Sequence, residues 1–190
     1  MDIEEAIYKR RTIRRFKQTP ISVEILKKLI NYARMAPMGN NIQSLEYIIV
    51  LEENIRTKLF PLLSWAASLP EAQRVPELHR RPMAYIIVLV NNLVKKDNDS
   101  EVGGAIENIL LGATNYNLGS CWMGAIDRKK IRELFKISDY YDIKYVISFG
   151  YPDEQSKVES YKDSFKYWKD KENLMHVPKK NLDDIILKIY

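Results

Sequence analysis

The chain has 190 residues, 46% hydrophobic and 29% charged. That length and composition suit one globular domain able to bury about 70% of its unfolded surface, and exclude a disordered or fibrous protein. One cysteine and two histidines exclude an internal disulfide framework and leave too few soft ligands for a closed zinc site, so neither metal catalysis nor an oxidising compartment is expected and the protein is placed in the cytoplasm.

The first ten residues carry no apolar leader, and no apolar stretch approaches the ~20 residues needed to cross a bilayer, so no membrane partner is expected. The net charge of +5 favours an anionic partner, whether nucleic acid, a phosphorylated metabolite or a nucleotide cofactor.

In chain order, Ile3, Ala6 and Ile7 recur at helical spacing and predict a first helix that exits into Arg10, Arg11, Thr12, Ile13 and Arg14. Three guanidinium groups and a hydroxyl thus crowd ahead of an extended run over residues 16–21. The planar guanidinium fork makes paired hydrogen bonds to a phosphate or a flat carbonyl edge, which marks a concentrated anion site. Ser22 predicts the cap of a second helix whose stripe of Ile25, Leu26, Leu29, Ile30, Ala33 and Met35 or Ala36 stops at Pro37.

Residues 37–43 are turn-rich, and the Asn41 and Gln43 amides beside Pro37 and Met38 carry both donors and acceptors, as reading the imide-like edge of a heterocycle requires. Residues 47–51 predict a fully buried central strand, 55–67 a helix, and 68–82, with Pro70, Pro76 and Pro82, an irregular surface excursion able to cover a site.

Further on, residues 85–90 predict a second buried strand, 102–117 a helix ended by Gly119, 128–135 another helix, and 145–149 a third strand stopped at Gly150 and Pro152. Gly103, Gly104, Ala105, Gly112 and Ala113 thin the 102–117 helix, which suits close approach of a helix or subunit and equally suits ordinary packing. Residues 118–124 read as a glycine-bounded apolar turn where the backbone at Met123 and Gly124 can approach a flat ligand beside Trp122.

Cys121, among apolar neighbours, reads as an inert packed residue, and His79 as a loop residue rather than a general base. After Pro152 about 30 residues lack a core-like pattern, which is long for a simple connection and predicts a tail wrapping across a surface, such as that of a second copy. Lys179 and Lys180 form a second basic site that would complete a phosphate clamp if placed beside Arg10. Neither a Rossmann glycine fingerprint nor a Walker motif is present. An anion site, an amide loop and a glycine-bounded apolar stretch together describe a site for a mononucleotide with a flat ring.

Taken in order, these segments resemble the nitroreductase family of FMN-dependent oxidoreductases. Arg-Arg-Thr-Ile-Arg-Arg-Phe at 10–16 is similar to the family's Arg-Arg-Ser-x-Arg-x-Phe, 36–43 to its Ala-Pro-Ser-x-x-Asn-x-Gln loop, and 104–124 to its helix followed by Gly-Leu-Gly-Ser-Cys-Trp-x-Gly. Residues 150–152 match its Gly-Tyr-Pro turn and 177–185 its closing basic element. The resemblance implies an α+β fold with a central, mainly antiparallel sheet flanked by helices. It also implies one domain over residues 1–190 and an intertwined homodimer, with about 153–190 wrapping the partner subunit.

It further implies tightly bound FMN in each of two interface sites, NADH or NADPH as reductant, and a small-molecule acceptor such as a nitroaromatic or quinone. By position, Arg10, Thr12 and Arg14 would hold the phosphate, ribityl chain and pyrimidine edge, with Arg11 assisting at the phosphate. Asn41 and Gln43 would bind the ring edge or ribityl hydroxyls, and Pro37 and Met38 would border the ring from the other subunit. Lys179 or Lys180 would complete the clamp, and Met123 and Gly124 would face flavin N5 beside Trp122.

No side-chain nucleophile is implied; flavin N5 does the chemistry and Arg14 acts electrostatically. Met38 stands where the family commonly has serine, and Ser44 and Leu45 where it often has Pro-Trp, departures that bear on substrate preference. Two other classes are a flavin-binding sensor or scaffold with little turnover and a nucleic-acid binder; the 25 interspersed acidic residues argue against nucleic acid as a partner.

Overall fold

The computed structural model of the protein describes residues 1–95 and 99–190. Helix α1 (Ile3–Lys9) starts at Asp2, whose carboxylate accepts from the Glu5 amide at 2.8 Å. The arginine-rich segment then runs extended into the short strand β1 (Phe16–Lys17). Helix α2 (Val23–Ala33) starts at Ser22, whose hydroxyl accepts from the Ile25 amide, and buries Leu26, Leu29 and Ala33. Next come β2 (Leu45–Val50), α3 (Glu53–Leu59), the single turn α4 (Glu71–Arg74), β3 (Ala84–Asn91) and α5 (Asp99–Asn115). The chain closes with β4 (Gly119–Met123), α6 (Arg128–Phe135), β5 (Tyr141–Pro152), β6 (Ser156–Ser160), β7 (Trp168–Lys169) and β8 (Met175–Lys179).

Among the described residues β1 to β5 form one antiparallel sheet, giving the α+β class expected. The long β5 is its spine: β3 pairs along one edge, β4 along the other, and β2 lies outside β3. Helices α2 and α5 pack over Ile86, Val88, Ile147 and Phe149, while Leu59 of α3 and Ile131 of α6 pack over Ile87, Leu89, Cys121 and Met123 on the other face. Covering both faces is why β3 reads as an unbroken apolar run rather than an alternating one. No helix among the described residues is long and apolar enough to cross a membrane.

Several sequence expectations need correction. The helix predicted over 55–67 stops at Leu59 and passes through a tight turn at Phe60–Leu62. Pro61 has no amide to continue an α-helix. The apolar residues beyond it, Leu63 and Trp65, are carried on non-helical chain and still pack into the core with Val50, Tyr85 and Ile87. The excursion over 68–82 is less irregular than expected, since it holds α4 and a turn at Leu78–Arg80. Strand β2 is neither central nor fully buried; it lies at the sheet edge with Ile48 and Ile49 only partly covered.

Residues 118–124 hold a strand, not a turn, paired with β5 from Gly119↔Gly150 to Met123↔Val146. Strand β5 in turn continues past Gly150 to Pro152, where a stop was expected. Both glycines serve close approach rather than chain reversal: a Cβ on Gly119 would lie 2.8 Å from Ile13 Cβ, and one on Gly150 2.6 Å from Phe16 Cβ. The arginine-rich segment therefore lies directly on β4 and β5. Gly150→Ala is expected to lower stability by about 1–3 kcal/mol through overpacking, read from the urea midpoint.

The tail is also more ordered than expected. Strand β6 pairs parallel to β8, and β7 antiparallel to β8, in a second small sheet. Met175 joins Ala66 and Leu69 in a satellite cluster, which docks this sheet on its own subunit. Beyond it Leu182, Ile185, Leu187, Ile189 and Tyr190 are exposed.

Candidate functional site

The segment after α1 is held as an extra edge on β4. The Ile13 amide donates to the Ser120 carbonyl at 2.9 Å, and Thr12 bridges Ser120 in parallel. Side chains of extended chain alternate, so Arg10 and Thr12 point one way and Arg11 and Ile13 the other. Arg10 and Thr12 enter a cavity of about 410 Å³ together with Ser120, Trp122 and Gly124 and with Glu107 and Leu110 of α5. Glu107 Oε1 lies 3.4 Å from Arg10 Nε and orients it. Trp122, 38% exposed, meets Tyr145 edge-on at 5.1 Å and forms an aromatic wall.

A guanidinium, two hydroxyls and an indole are the donor and contact set that a phosphate, a polyol and a flat ring require. The expected residues thus separate into groups, and the structure brings Arg10, Thr12, Trp122 and Gly124 together. The Met123 side chain turns away into the core with Cys121.

Arg14, which alternation alone would place with Arg10, instead turns toward the tail. Its amide donates to Glu154 Oε1 at 2.6 Å and its guanidinium sits 4.9 Å from the centre of the Tyr167 ring, close enough for its charge to act on the Cys121 thiol. Arg11 faces away from the cavity and donates to the Arg10 carbonyl at 3.2 Å; burial, reinforced by the like charge of Arg10, lowers its pKa.

The amide loop lies at the start of α5. Asn40 and Asn41 take left-handed φ values of 53° and 54°, which asparagine tolerates well. The Gly39 amide donates to Glu101 Oε1 at 2.8 Å and Lys95 Nζ approaches it at 2.5 Å. Lys95, then this amide, hold the Glu101 carboxyl below the usual carboxylate range. Glu101 and Glu107 are ~9 Å apart along the helix at 1.5 Å per residue, so the loop and Arg10 are anchored to one helix. Pro37, Asn41 and Gln43 are exposed and Met38 is half-buried, and none of the four lines the Arg10 cavity. Lys179 ends β8 and Lys180 lies 5.8 Å from the Phe165 ring centre, also outside that cavity.

Ser120 and Glu107 were missed by sequence reasoning. Reading 118–124 as a strand would have found Ser120, since 120, 122 and 124 share a face; Glu107 had no local signal. Cys121 is buried, and burial pushes its thiol up to about 11 despite the nearby Arg14. It is expected to resist alkylation by iodoacetamide at neutral pH and to react fully in urea, as read by intact mass.

Residues 7–151 match the sequence pattern described as Nitroreductase family. The chain belongs to the nitroreductase family. A relative from Archaeoglobus fulgidus, named provisionally an NADH dehydrogenase/NAD(P)H nitroreductase, is 30% identical over 166 residues, spanning 84% of this chain and 90% of its own. Among solved structures, a nitroreductase family protein from Clostridium novyi NT superposes with a TM-score of 0.68 at 26% identity, over 80% of this chain and 87% of that one. A provisional nitroreductase from Desulfovibrio desulfuricans, solved in complex with FMN, shares the fold at 19% identity, with a TM-score of 0.69 over 100% of this chain and 98% of its own.

Proposed function

We propose that this nitroreductase-family protein is an FMN-dependent oxidoreductase that takes hydride from NADH or NADPH and passes it to a small acceptor such as a nitroaromatic or quinone. The convergence of Arg10, Thr12, Ser120, Trp122 and Gly124 on one cavity carries the reading. The name of the Archaeoglobus fulgidus relative and the FMN complex of the Desulfovibrio desulfuricans protein support it.

When bound, FMN supplies the two-electron chemistry, and the protein supplies binding, orientation and charge. Arg10 would hold the phosphate and Thr12 the ribityl hydroxyls, while Trp122 walls the ring and Gly124 with the Met123 backbone leaves room beside it. Arg14, on the Cys121 side of β4, contributes positive charge that favours an anionic reduced ring. Pro37, Met38, Asn41, Gln43 and the Lys179–Lys180 pair lie outside the cavity of their own chain. A second copy is therefore the source of the missing contacts in our reading, with the exposed apolar residues 182–190 wrapping it as a homodimer.

The test is an absorption spectrum of the purified, FMN-supplemented protein, with sedimentation for the dimer, followed by anaerobic titration with each nicotinamide. Bleaching at about 450 nm, the flavin band expected from its cofactor chemistry, and reoxidation by a nitroaromatic are the expected results. A protein that retains no FMN overturns the reading. One that binds FMN yet is barely reduced by either nicotinamide is a flavin sensor or scaffold.

A further inference from the structure

Across the arginine segment from the Arg10 cavity lies a larger one of about 770 Å³. It is reached by the residues that alternation turns the opposite way, Arg11 and Ile13. Lys9, Lys17 and Lys157 join Arg11 at its rim, and Leu118, Tyr151 and Leu174 add to its apolar walls. Its volume lies in the range of small-molecule pockets, and apolar walls with a few charged groups are their usual chemistry.

The charge balance of this cavity is one-sided. Its carboxylate, Glu154, is already committed to the Arg14 amide at 2.6 Å and Lys169 Nζ at 3.0 Å, with Arg15 Nη1 at 3.8 Å. Lys157 meets Glu159 at 3.0 Å. Lys9, Arg11 and Lys17 have no carboxylate partner among the described residues. Arg11 is the informative member, because it is half-buried, stands beside the like charge of Arg10, and among the described residues has a single carbonyl as acceptor. A partly desolvated guanidinium without a counter-ion is stabilised by any anion that reaches it.

We propose that this cavity is a second ligand site, separate from the Arg10 cavity, that takes an amphipathic organic anion. Its phosphate or carboxylate meets Arg11 with Lys9 and Lys17, and its aromatic or aliphatic body lies on Leu118, Tyr151 and Leu174. Arg11 then serves this site rather than a flavin phosphate. The site does not depend on the flavin reading, because it shares none of its lining residues with the Arg10 cavity.

Isothermal titration of the FMN-saturated protein with phenyl phosphate, benzoate, inorganic phosphate and phenol tests it. Phenyl phosphate or benzoate is expected to bind once per chain, at least tenfold more tightly than inorganic phosphate or phenol, and the stronger of the two identifies the head group. Arg11→Gln and Lys17→Gln should each weaken that binding about tenfold, the effect of one charge-assisted hydrogen bond. Leu174→Ser should remove the preference for the organic anion over phosphate. Absence of binding, displacement by FMN, or affinity unchanged in both charge variants would overturn the proposal. Should the protein retain no FMN, the same titration on the protein as purified still reads this cavity.

Discussion

Glu154→Gln is expected to lower the stability of the protein by about 3–5 kcal/mol, the usual effect of removing one partner from a buried ion pair. The side chains of Glu154, Lys169 and Arg15 are 3%, 4% and 5% exposed. Glutamine keeps an oxygen for the Arg14 amide and removes only the charge. Lys169 then has no counter-ion, whereas Arg15 retains Glu77 at 2.8 Å and the Gln73 carbonyl at 3.1 Å. The loss should therefore come mainly from Lys169. The double variant Glu154→Gln/Lys169→Met should recover much of it, because apolar replacement of a buried pair is often neutral. A urea midpoint unchanged in the single variant would mean that the cluster is solvated.

The neighbouring Glu77 adds a pH dependence of definite sign. The hydrogen bonds from Arg15 hold its carboxyl at about 2, below its ordinary 4.5. Its contribution is complete above pH 4.5 and is lost as pH falls toward 2. Its side chain is 45% exposed, so solvent screening makes the contribution small. The urea midpoint of the native protein should fall more across this acid window than that of Glu77→Gln, and parallel curves would remove Glu77 from the balance.

What was legible in the chain follows from how local each signal is. The Ser22 cap and the spacing over 128–135 are local, and α6 and the start of α2 stand where they were expected, although α2 ends at Ala33 rather than running on to Pro37. Gly119 and Gly150 were seen but misread as stops, because their cause is Ile13 and Phe16, more than a hundred residues away. The tail sheet was missed for a different reason. His176 stands between Glu159 at 2.6 Å and Asp170 at 3.0 Å and stacks on Trp168 at 3.9 Å, polar and aromatic contacts that leave no apolar period. At the site, resemblance supplied Arg10, Thr12, Trp122 and Gly124 as candidates. It did not separate Arg11 and Arg14 from them: a motif does not record the side of a strand, which turns Arg11 away, nor the distant Glu154 and Tyr167, which draw Arg14 out of the alternation.

That separation sets the second large expectation. Arg10→Ala should weaken FMN binding about 10- to 100-fold, since a charge-assisted hydrogen bond contributes about 1.5–3 kcal/mol. The variant also leaves Glu107, 47% exposed and 3.4 Å from the lost guanidinium, with no cation between it and the phosphate. Glu107→Gln tests the same geometry with the opposite sign, because it frees Arg10 from its competitor and should tighten FMN. Arg14→Ala, acting from the Cys121 side of β4, should lower the flavin reduction potential more than it lowers affinity. Fluorescence titration gives the affinities and equilibrium dye reduction the potentials. If Arg10→Ala and Arg14→Ala change affinity alike and leave the potential alone, β4 does not divide their roles and both arginines act on the phosphate.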